Sequence, residues 1–195
     1  MAVAVPPAGT VPERFTVERF FALVDEGVLQ PDDRVELLEG VIVAMAPSSA
    51  PHASATSRAA DALRGAVGKR ALVREEKCLI LGLYSAPEPD VALVPGTHEA
   101  YDDAHPRSAL LVVEVADSSL AQDRITKAAM HAGAGIPEYW IVNLRDDHVE
   151  AHRGPDPRGR RYAERRCAVR GETLELVAFP DVRIAVDELL PRRAR

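Results

Sequence analysis

The sequence predicts a mixed α/β domain in which helices flank one sheet. Two apolar runs, 109–115 (A-L-L-V-V-E-V) and 137–143 (P-E-Y-W-I-V-N), are too continuous for half-exposed strands and read as strands covered on both faces. Helical patterns precede and separate them. The 195 residues are 47% hydrophobic and 28% charged, enough for one core without metal or disulfide staples. That balance excludes a coiled coil, a collagen-like repeat and wholesale disorder.

Residues 1–12, rich in Pro, Ala and Val, read as a flexible leader. A helix is expected over 16–26, with Thr16 as N-cap and Gly27 as the stop, and Phe20, Phe21, Leu23 and Val24 in helical spacing. Residues 34–45 read as a hairpin turning at Glu39-Gly40, and 47–51 as a turn cluster. From His52, the residues Ala59, Ala60, Leu63, Ala66 and Val67 share one helical face, and Gly68 ends that helix. A strand is expected over 71–83 and a shorter one over 91–94. Residues 119–132 read as a helix capped by Ser118 or Ser119 and stopped by Gly133 and Gly135. Short strands follow near 147–152, 160–167, 172–178 and 181–185, then a helical turn at 186–190. The single domain is expected to span 13–190, with a basic tail at 191–195.

The net charge of −6 conceals an asymmetry. Arg153, Arg158, Arg160, Arg161, Arg165, Arg166 and Arg170 face only Asp156 and Glu164 in their segment. An acidic body with a basic flank suits a metal site beside a phosphate-binding surface, and equally a solvated hairpin. Cys78 and Cys167 cannot build a zinc site alone and lack C-x-x-C spacing; a reduced chain is expected, with one disulfide left open. The start has no secretory pattern and no apolar run approaches a membrane span, so a cytoplasmic protein is expected. No G-x-S-x-G or H-E-x-x-H occurs, and Gly133-Ala-Gly135 reads as a helix stop, not a phosphate loop. Tyr139 and Trp140, inside an apolar run, read as core rather than as a base-stacking platform.

Glu114 interrupts an otherwise apolar strand. A lone buried carboxylate costs several kcal/mol unless it is paired, protonated or bound to a cation. Reaching water at the strand end, or pairing with an arginine, would also satisfy it. Asp90, after Pro89, heads the run 91–94 and is either a turn acid or a partner for Glu114 on a neighbouring strand. Two such carboxylates with water and a phosphate oxygen make a hard-oxygen site for Mg²⁺ or Mn²⁺. Asp123 and Lys127 share a helix face, as a surface ion pair or as groups leaning over those acids. Glu36 and Glu39 add hairpin carboxylates.

Six segments in order, R-V-E-L-L-E-G-V-I-V, A-P-S-S-A-P-H, E-P-D-V-A-L-V, L-L-V-V-E-V, D-R-I-T-K and G-I-P-E-Y-W-I-V, resemble the Uma family of restriction-endonuclease-like proteins over about 15–190. The resemblance implies the P-D-(D/E)-x-K nuclease superfamily, a mixed sheet flanked by helices, and metal-dependent hydrolysis of DNA. It implies that Asp90 and Glu114 ligate Mg²⁺ or Mn²⁺ with help from Glu36, and that Lys127 is catalytic. The lysine usual two residues after the second acid is absent, since position 116 is Ala, and Lys127 on the following helix matches its replacement. His52 matches a recurrent family position and joins Glu39 and Asp123 as an accessory candidate; a first-turn polar residue describes it equally well. A homodimer is expected of a nuclease that cuts both strands. RNA as substrate has less support, because no element reads a 2′-hydroxyl. The rival expectation is a nuclease-fold module that binds protein or nucleic acid without cutting.

Overall fold

The computed structural model describes residues 14–192. The expected leader 1–12 and positions 193–195 of the expected tail lie outside the described residues.

Helix α1 (Val17–Asp25) starts where the Thr16 hydroxyl accepts the Arg19 amide and ends at Gly27 with φ +71°. Strands β1 (Val35–Leu38) and β2 (Val41–Ala44) form the expected hairpin. Glu39 and Gly40 both take positive φ at its turn, as a two-residue hairpin of the primed type requires. A Cβ on Gly40 would also meet Arg14 Cβ at 2.6 Å. Gly40→Ala is expected to cost about 1–3 kcal/mol, read as a lowered unfolding midpoint. Helix α2 (Ala50–Val67) is capped by the Ser49 hydroxyl, which accepts the His52 amide, and Gly68 closes it. The expected 47–51 turn is therefore shorter, because Pro51 sits in the first helical turn, where its missing N–H costs nothing.

The main sheet runs β3-β4-β5-β6-β7-β8, with strands at Leu72–Glu75, Val91–Val94, Leu111–Ala116, Glu138–Asn143, His148–Asp156 and Arg161–Val169. Only β5 and β6 are parallel; every other neighbouring pair is antiparallel. The parallel pair needs a crossover. Helix α3 (Leu120–Gln122), a π-helical segment Asp123–Lys127 and helix α4 (Ala128–Gly133) supply it in one unbroken run. β9 (Thr173–Glu175) pairs with β10 (Arg183–Ala185), and α5 (Val186–Leu189) follows.

Helices α2 and α5 cover one sheet face through Leu63, Val113, Trp140 and Leu189. Helix α4 covers the other through Val112, Met130, Tyr139 and Ile141. Tyr139 and Trp140 thus fill opposite cores, because adjacent strand residues point to opposite faces. Helix α1, the β1–β2 hairpin, Cys78, Ile80 and Ala86 form a third cluster.

Two expectations fail. The strand expected over 71–83 stops at Glu75, where Glu76 turns to φ +46°, and residues 76–90 form an irregular buried loop. Cys78, Ile80 and Ala86 bury themselves against α1 and the hairpin, Leu79 and Leu81 join the α4-side core, and Leu83 stays exposed, so the stretch does not extend the sheet. The 119–132 helix is not uniform: Ser119 makes no capping bond to backbone, and one π turn interrupts the α pattern. Both cysteines are free, with Cys78 buried and Cys167 exposed. Among the described residues no helix is long and apolar enough to cross a membrane.

Candidate active site

Glu114 points from the middle of β5 toward the α4 side of the sheet, on the same face as Val112 and Ala116. It is 3% exposed. The β4–β5 register pairs Val91 with Val113, so Asp90 arrives opposite Glu114 at the head of β4. The Val115 amide donates to Asp90 Oδ2 at 2.6 Å and fixes that carboxylate across the strands. The hairpin contributes Glu36 from β1, whose Oε2 accepts the Glu88 amide at 3.2 Å.

The crossover closes the group. Lys127 Nζ donates to Glu114 Oε1 at 3.0 Å and lies 3.6 Å from Glu36 Oε1. Asp123 is buried in the same turn, and its Oδ2 accepts the Ser119 hydroxyl at 2.6 Å. A π turn shifts the helical hydrogen bonds, and Tyr139 of β6 donates its hydroxyl to the Asp123 carbonyl at 3.1 Å. Such turns within α-helices recur at functional sites. From α2, His52 reaches Asp90 Oδ2 with Nε2 at 3.3 Å, while its Nδ1 lies 3.0 Å from the Ser48 hydroxyl.

Glu36, Asp90, Glu114, Asp123, Lys127 and His52 therefore line one cleft of about 160 Å³. Glu39 does not join them. It turns outward to Arg160 at 2.9 Å and Arg14 at 3.6 Å, and borders a separate hollow of about 380 Å³. Its position at the hairpin turn aims it away from Glu36, and Arg160 holds its carboxyl below the ordinary range.

Glu114, Glu36 and Asp123, all buried, act on one buried ammonium, with Asp90 in the same cleft. Burial pushes Glu114 well above the usual carboxylate range; Lys127 opposes that shift, while Asp90, Asp123 and Glu36 add to it. Burial also raises Asp123, against the Ser119 hydrogen bond and Lys127. Burial disfavours the Lys127 charge, but Glu114, Glu36 and Asp123 outweigh it and hold the ammonium protonated. The Asp90 pairing raises His52. The cluster thus carries more acid than internal cations can neutralise.

That donor set is all oxygen and suits a hard divalent cation. Among the described residues no three His, Cys, Asp or Glu side chains converge as a finished metal cage. Mg²⁺ does not require one, since it binds through one or two carboxylates completed by water and phosphate. Asp90 and Glu114 bring two carboxylates to the same cleft.

Two groups escaped the sequence reading. Glu150 on β7 is 0% exposed, and Arg124 of the π turn grips it with Nε at 2.9 Å from Oε1 and a second, shorter bond from Nη2 to the same oxygen. Arg165 Nη2 adds a contact at 2.9 Å to Oε2. His148, Glu150 and His152 alternate with Val149 and Ala151, so the segment reads as a half-exposed strand and hides its buried acid. The second is His131 on α4, also 0% exposed. Its spacing of four from Lys127, the same spacing that paired Lys127 with Asp123, was the available signal.

The basic segment also differs from a free phosphate-tracking surface. Arg153 pairs with Glu138, Arg160 with Glu39, Arg161 with Asp156, Arg165 with Glu150, Arg166 with Glu172, and Arg170 with Asp147 and Asp187. Acids near and distant in sequence thus pair six of the seven arginines of the stretch.

The family model Uma2, described as "Putative restriction endonuclease", matches residues 17–187. No curated protein matches the chain. A crystal structure described as a "putative nuclease belonging to DUF820", from Anabaena variabilis ATCC 29413, superposes with a TM-score of 0.72 at 15% identity, covering 90% of this chain and 97% of that one. At that identity the likeness shows the fold alone.

Proposed function

The chain belongs to the Uma2 family, and from that premise we propose that it is a divalent-metal-dependent endonuclease that hydrolyses DNA phosphodiester bonds. The observation that carries the reading is the meeting of Asp90, Glu114, Glu36 and Lys127 in one cleft, with the Lys127 ammonium beside Glu114 and Glu36. Asp90 and Glu114, with Glu36, would hold Mg²⁺ or Mn²⁺, which when bound supplies acidity to water and positive charge to the phosphate.

The remaining work falls to the protein. Asp90 is held by the Val115 amide, so its carboxylate needs no reorganisation when charge arrives. Lys127 presents an ammonium fixed by Glu114 and Glu36, able to orient the attacking water or steady charge on the phosphate in the transition state. His52, held between Ser48 and Asp90, borders the same cleft and would serve as the proton donor to a leaving oxygen. Asp123 keeps Lys127 charged from within its own turn. Double-strand cleavage by one such site per chain takes two chains, so a homodimer is part of the proposal.

The test is calorimetric titration of Mg²⁺ and Mn²⁺ into wild type and Asp90→Ala at low salt, followed by incubation with DNA. Binding and cleavage in wild type, both lost in a folded Asp90→Ala protein, are expected. Full-rate cleavage by the variant would sink the assignment.

One observation favours a second reading. Lys127 already bridges Glu114 and Glu36, and among the described residues no finished metal cage exists. With Lys127 held by two of its own acids, the cluster also suits a nuclease-fold module that binds a partner without cutting it. Metal binding absent from both proteins, with DNA left whole, would establish that alternative.

A further inference from the structure

His131 is fully buried, yet neither ring nitrogen has a hydrogen-bond partner among the described residues. Buried polar atoms are nearly always bonded, and an unmade bond costs stability. An aliphatic side chain would fill this core position without that cost, so the present arrangement leaves the imidazole unexplained. Its surroundings are specific. Nε2 lies 4.0 Å from Glu114 Oε1, the oxygen that Lys127 Nζ occupies at 3.0 Å. Tyr139 of β6 backs the ring at a centroid distance of 5.0 Å. Glu114, Lys127 and Tyr139 are the charged and titratable groups that face it.

Burial first, and the nearby Lys127 second, push the imidazole down to about 3. An imidazole ring carries an N–H to give, and at this position nothing among the described residues receives it. Lys127 does carry charge, and it holds the oxygen nearest the ring.

We infer that His131 is a positioning residue for Glu114, donating its N–H to that carboxylate when Glu114 turns from Lys127 to a divalent cation. This rests on the metal reading above. A movement of about 1 Å converts the 4.0 Å separation into a hydrogen bond. Partners of this kind fix the orientation of ligating carboxylates, and their loss typically lowers metal affinity about 10–100-fold. The same bond explains why a polar ring is kept where it weakens the metal-free protein.

The experiment measures two quantities that this role moves in opposite directions. Thermal midpoints in chelator and Mn²⁺ affinity by calorimetry are compared for wild type, His131→Leu, His131→Gln and Asp90→Ala. His131→Leu is expected to raise the metal-free midpoint by about 2–8 °C, because two unpaired buried atoms disappear. It is expected to lower Mn²⁺ affinity about 10–100-fold. His131→Gln, which keeps a donor at similar reach, is expected to hold affinity within about threefold of wild type.

Unchanged Mn²⁺ affinity in His131→Leu overturns the inference, provided that wild type binds and Asp90→Ala does not. A lowered metal-free midpoint in His131→Leu also overturns it, since ring packing would then account for the residue. Wild type that binds no Mn²⁺ overturns the metal reading and this inference together.

Discussion

Lys127→Met is expected to cut the rate of DNA cleavage about 10²–10³-fold, with kcat carrying the loss and KM nearly constant. Methionine keeps the length of the side chain and the burial of its stem, so the ammonium is the group removed. That ammonium is the cation held 3.0 Å from Glu114 and 3.6 Å from Glu36, beside the buried Asp123. Its removal leaves Glu114 without the one group that draws its carboxyl down. A cation competing for the same oxygen also departs. Mn²⁺ affinity in Lys127→Met is therefore expected to equal or exceed that of wild type while cleavage fails. The pair of measurements separates a chemical role from a scaffold role. Full cleavage by the variant removes Lys127 from the mechanism, and loss of metal binding with cleavage makes it a structural strut.

Glu150→Gln is expected to be the most destabilising single change outside the cleft. Glu114, Ile141, Glu150 and Cys167 stand in one row across β5, β6, β7 and β8. Lys127 and Arg124, from one π turn, each rest on an acid of that row. The guanidinium–carboxylate pair thus pins the turn that aims Lys127. Arg124 and Arg165 hold the Glu150 carboxyl at about 2, although burial alone would raise it from 4.5. At ~1.4 kcal/mol per unit that depression corresponds to about 3 kcal/mol of stability at neutral pH. The glutamine amide would set its own donors against those of Arg124, so the full contribution is expected to go. Differential scanning calorimetry at pH 7 should read a midpoint about 6–12 °C lower.

The sign of the pH dependence follows from the direction of the shift. The folded protein binds the Glu150 proton more weakly than the unfolded chain, so the stabilisation is complete above about 4.5 and disappears as pH falls toward 2. The gap between wild type and Glu150→Gln should close over that interval. A gap that stays constant from pH 7 to 3 would mean that packing, not charge, makes the position important.

The fold was largely legible because its signals are local. The helix starts at Thr16 and Ser49, the Glu39-Gly40 turn and the covered strands β5 and β6 each depend on a few consecutive residues. Buried loop 76–90 was misread because an apolar stretch has the same composition whether it pairs in a sheet or packs against a hairpin. The π turn was invisible for a related reason. D-R-I-T-K is compatible with an α-helix, and the inserted residue becomes favourable only when Tyr139 reaches the Asp123 carbonyl and Arg124 meets Glu150.

The acid site divides in the same way. Glu114 announced itself as a charge inside an apolar strand, and Asp90 stood at the head of another such strand. Lys127 and Asp123 stood out by helical spacing and Glu36 as a hairpin acid, with the motif resemblance adding their roles, while His52 owed its place to that resemblance alone. Glu39, two residues before β2 and similar in type to Glu36, faces Arg160 instead of the cleft. Glu150 carried no local anomaly that marked it, and His131 only its spacing of four from Lys127.

The sequence by itself determined the class of fold, the order of its elements and the presence of a carboxylate that burial alone could not tolerate. Those properties come from hydrophobic periodicity, capping and turn chemistry, which act between near neighbours along the chain. Only the tertiary structure decided which acids share Lys127, which acids pair the arginines of 153–170 and which histidine lies beside Glu114. Those outcomes depend on strand register, on a π turn and on pairs such as Arg160–Glu39, whose members are brought together only when the sheet is assembled. Electrostatic pairing falls off over a few ångströms, so it is decided by the folded distance and not by position in the chain.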